Sequence, residues 1–130
     1  MKSLRDAIYD QLVAKCPSFA GGFFQPQVAN ESTPKPFGVI RIGPAERVGN
    51  QGIIRRLEVH VHAAKENWAT LDTLCRSVVD ALHMVRVSAG TSGGKTYYVT
   101  PKHTGTTSDW VDDDRETMMH IVEFDIPMGA

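Results

Sequence analysis

The stretch from Ile53 to Met84 limits the possible folds more than any other part of this chain. Along Ile53-Ile-Arg-Arg-Leu-Glu-Val-His-Val-His-Ala63, Leu57, Val59, Val61 and Ala63 fall on one side and Arg56, Glu58, His60 and His62 on the other. That is the period-two pattern of a strand with one apolar face. After a short polar turn, Lys65-Glu66-Asn67, the segment from Trp68 to Leu82 repeats Leu71, Leu74, Cys75, Val78, Val79 and Leu82 at helical spacing. Asn67 is placed as its N-cap. A strand, a tight turn and an amphipathic helix folding back over the strand's apolar face form the expected nucleus.

The rest of the chain supplies partners for that nucleus. Ser3-Leu-Arg-Asp6 is close to a capping box with Asp in place of Glu, and Leu4, Ala7, Ile8 and Leu12 continue as a helical stripe that stops before Pro17. Residues 17 to 36 carry Gly21-Gly22, Pro26, Pro34 and Pro36 around Asn30-Glu-Ser-Thr33, and read as a long connection held down by Phe19, Phe23 and Phe24. Phe37-Gly-Val-Ile-Arg-Ile42 is a strand bounded by Pro36 and by Gly43-Pro44, and Gly49-Asn-Gln-Gly52 turns it into the central strand as an antiparallel hairpin. Ser88 to Gly94 reads as a flexible loop, Lys95 to Thr100 as a short strand closed by Pro101, and 102 to 115 as a polar, acidic loop. Glu116 to Ile126 is a long strand with Met118, Val122, Phe124 and Ile126 on one side. The expected architecture is α+β in one domain, residues 1–130: an antiparallel or mixed sheet of about four strands with two helices on one face.

With 130 residues, of which 42% are hydrophobic and 22% charged, there is enough chain for one core that buries about two thirds of the unfolded surface. A net charge of -1 creates no field to gather nucleic acid or an anionic membrane, so DNA affinity is expected to be weak. No apolar run is long enough to span a bilayer, and Arg5 and Asp6 stand where a signal peptide would be hydrophobic, so residence in the cytoplasm is expected. Cys75 lies on the apolar side of its helix, which favours buried reduced thiols over a Cys16–Cys75 disulfide.

Three motifs invite a chemical reading. Ala89-Gly-Thr-Ser-Gly-Gly-Lys-Thr96 satisfies a relaxed phosphate-loop pattern, but the chemistry needs a helix starting at the lysine, and Thr96-Tyr-Tyr-Val-Thr-Pro101 is strand-like. His60 and His62 share a strand face, a spacing that can bind a metal through two imidazoles, and His120 on another strand would make a third ligand if that strand were adjacent. Against this, a His-x-His pair also suits a polar face packed on water or on another subunit. Asp109, Asp112, Asp113, Asp114 and Glu116 cluster in a loop, where a solvated role competes with magnesium binding.

The whole chain resembles the tail-completion or tail-terminator (tail-to-head joining) family of long-tailed bacteriophages. The resemblance lies in the opening helix Ser3-Leu-Arg-Asp-Ala-Ile-Tyr-Asp-Gln-Leu12, the Pro36-Phe-Gly-Val-Ile-Arg41 strand, Arg56-Leu-Glu-Val-His-Val-His62 leading into the Asp72-to-Leu82 helix, and the terminal His120-Ile-Val-Glu-Phe-Asp-Ile126 strand. It implies a ring-forming structural subunit, hexameric in that family, that caps the tail tube and meets the head connector. The virion would hold it at the head-proximal end of the tail after assembly in the host cytoplasm. Its partners would be copies of itself, the tail tube protein and the connector, with genomic DNA passing through unbound. The resemblance implies no catalytic residue, cofactor or metal. The 101 to 115 loop departs from the family pattern. Arg47, Arg55 and Arg56 on one subunit are expected to meet Asp112, Asp113 and Asp114 on the next, or else the acidic loop lines the channel. The alternatives are another head-tail connector protein of similar size, or a small metal-dependent hydrolase using His60, His62 and the acidic loop.

Overall fold

The computed structural model describes residues 3–128 apart from 27, 30, 31, 66 and 93. Asn30 and Glu31 of the first connection, Glu66 of the tight turn and Gly93 of the glycine-rich segment therefore lie outside the described residues.

Helix α1 spans Leu4–Lys15, and the Ser3 hydroxyl accepts the Asp6 backbone N–H at 3.2 Å, occupying one of the orphan donors of the first turn. Its buried residues are the predicted stripe: Leu4, Ala7, Ile8 and Leu12. The strands that follow are β1 (Gly22–Phe24), β2 (Phe37–Ile42), β3 (Glu46–Arg47) and, after a single 3₁₀ turn at Gly49–Gln51, β4 (Ile53–Ala64). Helix α2 covers Trp68–Leu82, with Asn67 at the N-cap position but without a capping bond from its side chain. Strands β5 (Val87–Ser92), β6 (Lys95–Val99), β7 (Lys102–Thr106), β8 (Trp110–Asp112) and β9 (Thr117–Pro127) complete the chain.

The main sheet runs β1-β2-β4-β9-β7, with β3 added to β4 and β8 added to β9; β5 and β6 form a separate two-stranded ribbon. All pairings are antiparallel except β1 with β2, which is parallel and makes the sheet mixed. The α+β class is as the sequence predicts, whereas the count of about four strands is corrected to seven in the main sheet. The missed strands are short or lie at edges. β1 and β8 have 3 residues each, and β7 is Lys-His-Thr-Gly-Thr, so none is long or apolar enough to show an alternation. Likewise 17 to 36 is not wholly irregular, and the supposed loops at 88–94 and 102–115 contain β5, β7 and β8.

Register decides which side chains meet. Leu57 pairs with Phe124, Val59 with Val122, Val61 with His120 and Ala63 with Met118, so this face of β4 continues into the apolar face of β9. Both helices bury their stripes in one cluster with these residues and with Ile40 of β2, so the two helices cover the same face. On the reverse face, Phe37 and Val39 join Ala29 and Phe24 in a second, small cluster beneath the 25–36 connection. Phe19 and Phe23, their rings 4.6 Å apart, anchor the start of that connection in the main core. No described helix is long and apolar enough to cross a membrane.

Candidate functional site

The reverse face of the sheet gathers polar groups that the sequence places together only in part. His60 and His62 both project from it, as the alternation of β4 requires, but their surroundings differ. His60 lies 2.8 Å from the Glu58 carboxylate at a half-buried position. His62 is only 2% exposed, stacks on the Phe37 ring at 4.6 Å and 11°, and shares a 2.7 Å hydrogen bond with the Thr117 hydroxyl. Burial lowers its pKa to about 4, with Arg115 and His60 pushing the same way and Asp112 opposing. At neutral pH it is therefore an uncharged, stacked core residue.

Asp112 reaches this face because β8 and β9 form a hairpin. Its carboxylate accepts the Arg115 backbone N–H at 3.2 Å and the Arg115 guanidinium at 2.9 Å, closing the turn whose last residue, Glu116, adopts a φ of 55°. Burial alone would raise the Asp112 pKa, but these bonds and the Arg115 charge hold it below the usual carboxylate value. Arg115 also donates to the Ala29 carbonyl at 3.1 Å, which ties the hairpin turn to the 25–36 connection. A half-open cleft of about 180 Å³ remains between Arg41, His60, His62, Asp112 and Arg115.

His120 is not part of it. It lies beside Val61 in the ladder and so points to the helix-covered face, opposite to His60 and His62; the three histidines do not converge. Its Nε2 is 2.6 Å from Asp109, and because a carboxylate only accepts, Nε2 carries the proton. Cys75 Sγ lies 3.8 Å and Asp72 3.9 Å from Nδ1, beside an open hollow of about 460 Å³. A Cys-His-Asp grouping suggests nucleophilic chemistry, yet burial, helped by Asp72, pushes the thiol up to about 12, which leaves it protonated and unreactive. Cys16 is pushed up to about 11 by burial and then by Asp80, and both cysteines are free. No group of three or more His, Cys, Asp or Glu among the described residues is placed to hold a metal ion. The glycine-rich segment forms the β5–β6 ribbon, with Lys95 opening a strand rather than a helix, so it offers no helix N-terminus to a phosphate.

The charged residues expected at subunit contacts are dispersed. Arg47 is exposed on β3, the Arg55 guanidinium is engaged with the Gly43 carbonyl at 2.9 Å, and Arg56 is exposed on the reverse face of β4. Asp112 is held by Arg115, Asp113 forms an exposed 3.4 Å pair with Lys65, and Asp114 is exposed. Two exposed apolar pairs have no role in the sequence-based expectations: Tyr97 and Tyr98 on the ribbon are 54% and 51% exposed, and Trp110 and Val111 on β8 are 55% and 56% exposed. The signal was available, since each pair is apolar in an otherwise polar, glycine- or aspartate-rich context. No protein-family model matches this chain, and no curated protein matches it.

Proposed function

We propose that the protein is a structural subunit that assembles into a ring, hexameric by family resemblance, at the head-proximal end of a long-tailed bacteriophage tail. The ring caps the finished tail tube and offers a surface to the head connector. Genomic DNA passes through it without specific binding, and the subunit performs no catalysis. Assembly takes place in the host cytoplasm and the product resides in the virion.

The observation that carries this reading is the exposure of large side chains at two separate places on a small domain, Tyr97 with Tyr98 and Trp110 with Val111. Apolar groups gathered in this way mark surfaces that other proteins cover. Support also comes from the segments that bear the resemblance: α1, β2, β4 followed by α2, and β9 form as regular elements in that order. Light scattering over a concentration series, with and without tail-tube protein, tests the proposal. Concentration-dependent association is expected, and a strict monomer under all conditions refutes it. In the parent phage, removal of the gene should give capsids without joined tails and tails of abnormal length. Metal analysis of the purified protein separates this reading from the metal-dependent hydrolase, which requires a stoichiometric bound transition metal.

A further inference from the structure

Charge is segregated along the second half of this chain. Between Asp80 and Asp109 there is no aspartate or glutamate, while Arg86, Lys95 and Lys102 fall within that stretch; Asp109, Asp112, Asp113 and Asp114 then follow together. The fold converts this into two patches of opposite sign, each centred on an exposed apolar pair.

The first patch is the ribbon. Among its described residues the base enters the core, through the paired Val87 and Val99, and β5 rests against α1, so β6 is the outward strand. Lys95, Thr96, Tyr97 and Tyr98 are consecutively exposed, which no strand with one covered face would show. The Arg86 guanidinium sits 3.9 Å above the Tyr98 ring, adding positive charge to an aromatic surface. A two-stranded ribbon has little stability of its own in water and gains most from being covered. The second patch is β8. Trp110 and Val111 are more than half exposed there, and the side chains of Asp109 and Asp113 are 65% and 88% exposed. β8 pairs only with β9 and belongs to a different sheet from the ribbon.

We infer that the ribbon of one copy docks on β8 of the next, its tyrosines against Trp110 and Val111 and its cations against the neighbouring aspartates. The partner is a second copy of this chain because the two patches complement each other in charge and both are aromatic. Because they are different surfaces, the contact is head-to-tail, and every copy uses both, which is the kind of interface that can close into a ring. This rests on the ring-forming reading above and names the surfaces it would use. Asp112 takes no direct part, because its side chain is only 15% exposed in its pair with Arg115, whereas Asp109 and Asp113 stay open to solvent beside His120 and Lys65.

Charge reversal tests the pairing. Lys95→Glu alone should weaken self-association about 30-fold, and so should Asp113→Lys combined with Asp114→Lys, since each places like charges face to face. Mixing these two variants in equal amounts should restore association, because every contact in an alternating assembly is again between opposite charges. Light scattering and analytical ultracentrifugation give the readout, and circular dichroism verifies that each variant is folded. If wild type associates and the variants associate equally well, or if each variant is weakened and the mixture is not restored, this docking is wrong while the ring reading stands. If wild type stays monomeric throughout, with or without tail-tube protein, the ring reading and this docking fall together.

Discussion

Acid should loosen this fold through His62 before it acts through Asp112. A histidine that titrates at 6.5 when unfolded and at about 4 when folded binds its proton more readily in the unfolded chain. Above pH 6.5 both states are neutral there and the group has no effect. As the pH falls below that value the unfolded state gains a proton that the folded state refuses, and the loss of stability grows until the pH reaches about 4. The full gap corresponds to about 3 kcal/mol, most of which should be lost by roughly pH 4.5. The cause is structural: a ring 2% exposed, stacked on Phe37 and bonded to Thr117, cannot be solvated as a cation. Asp112 acts in the same direction, since its lowered pKa also makes stability fall with the pH, but that loss sets in only as the pH drops through the ordinary 3.8, below this window. Urea titrations of wild type and His62→Gln at neutral pH and at about 4.5 measure the difference. The glutamine can still hydrogen-bond Thr117 but has no proton to gain, so its stability should fall by about 2–3 kcal/mol less than that of wild type. Equal losses in the two proteins would refute the reasoning.

Four further outcomes are expected. A Cβ at Gly21 would collide with the Pro34 carbonyl oxygen, whereas one at Gly105 would meet nothing, so by chemical denaturation Gly21→Ala should lose about 1–3 kcal/mol and Gly105→Ala less than about 0.5 kcal/mol. Ser3→Ala should cost about 1 kcal/mol by removing the α1 cap, measured as a shift in the urea midpoint at constant slope. Both thiols should resist a disulfide-exchange reagent until urea is added, because burial holds Cys16 and Cys75 protonated. Calorimetry should detect no saturable ATP binding in either wild type or Lys95→Ala; binding that disappears in the variant would restore the phosphate-loop reading.

The long elements were legible because burial imposes a period on them. α1, β2, β4, α2 and β9 all carry stripes or alternations that match the faces they bury. β7 was not legible, because an edge strand with Gly105 and exposed lysine and threonine is held by its pairing to β9 rather than by its own side chains. β5 read as a loop because Ser88, Gly90 and Ser92 interrupt any alternation, and the pairing that orders it comes from β6. The position of His120 could have been deduced: it has the same parity as Met118, Val122, Phe124 and Ile126, which already placed it on the apolar face away from His60 and His62. The burial of His62 could not, since nothing in β4 announces that Phe37 will stack on it.

β9 is flanked by β4 on one side and by β7 and β8 on the other, yet it follows all of them in the chain. During synthesis α1, β2, β4 and α2 therefore leave the ribosome before the strand that joins the two halves of the sheet exists. Until Thr117–Pro127 emerges, Leu57, Val59 and Val61 have no neighbour on that side, and β7 and β8 have no ladder to join. Folding must wait for pairings between distant segments, which makes it slow for a domain of this size and exposes the nascent chain to chaperones and to aggregation. The same order couples surface to core: β8 is in place only once β9 has paired, so Trp110 and Val111 are set out on the surface only when the sheet beneath them is complete.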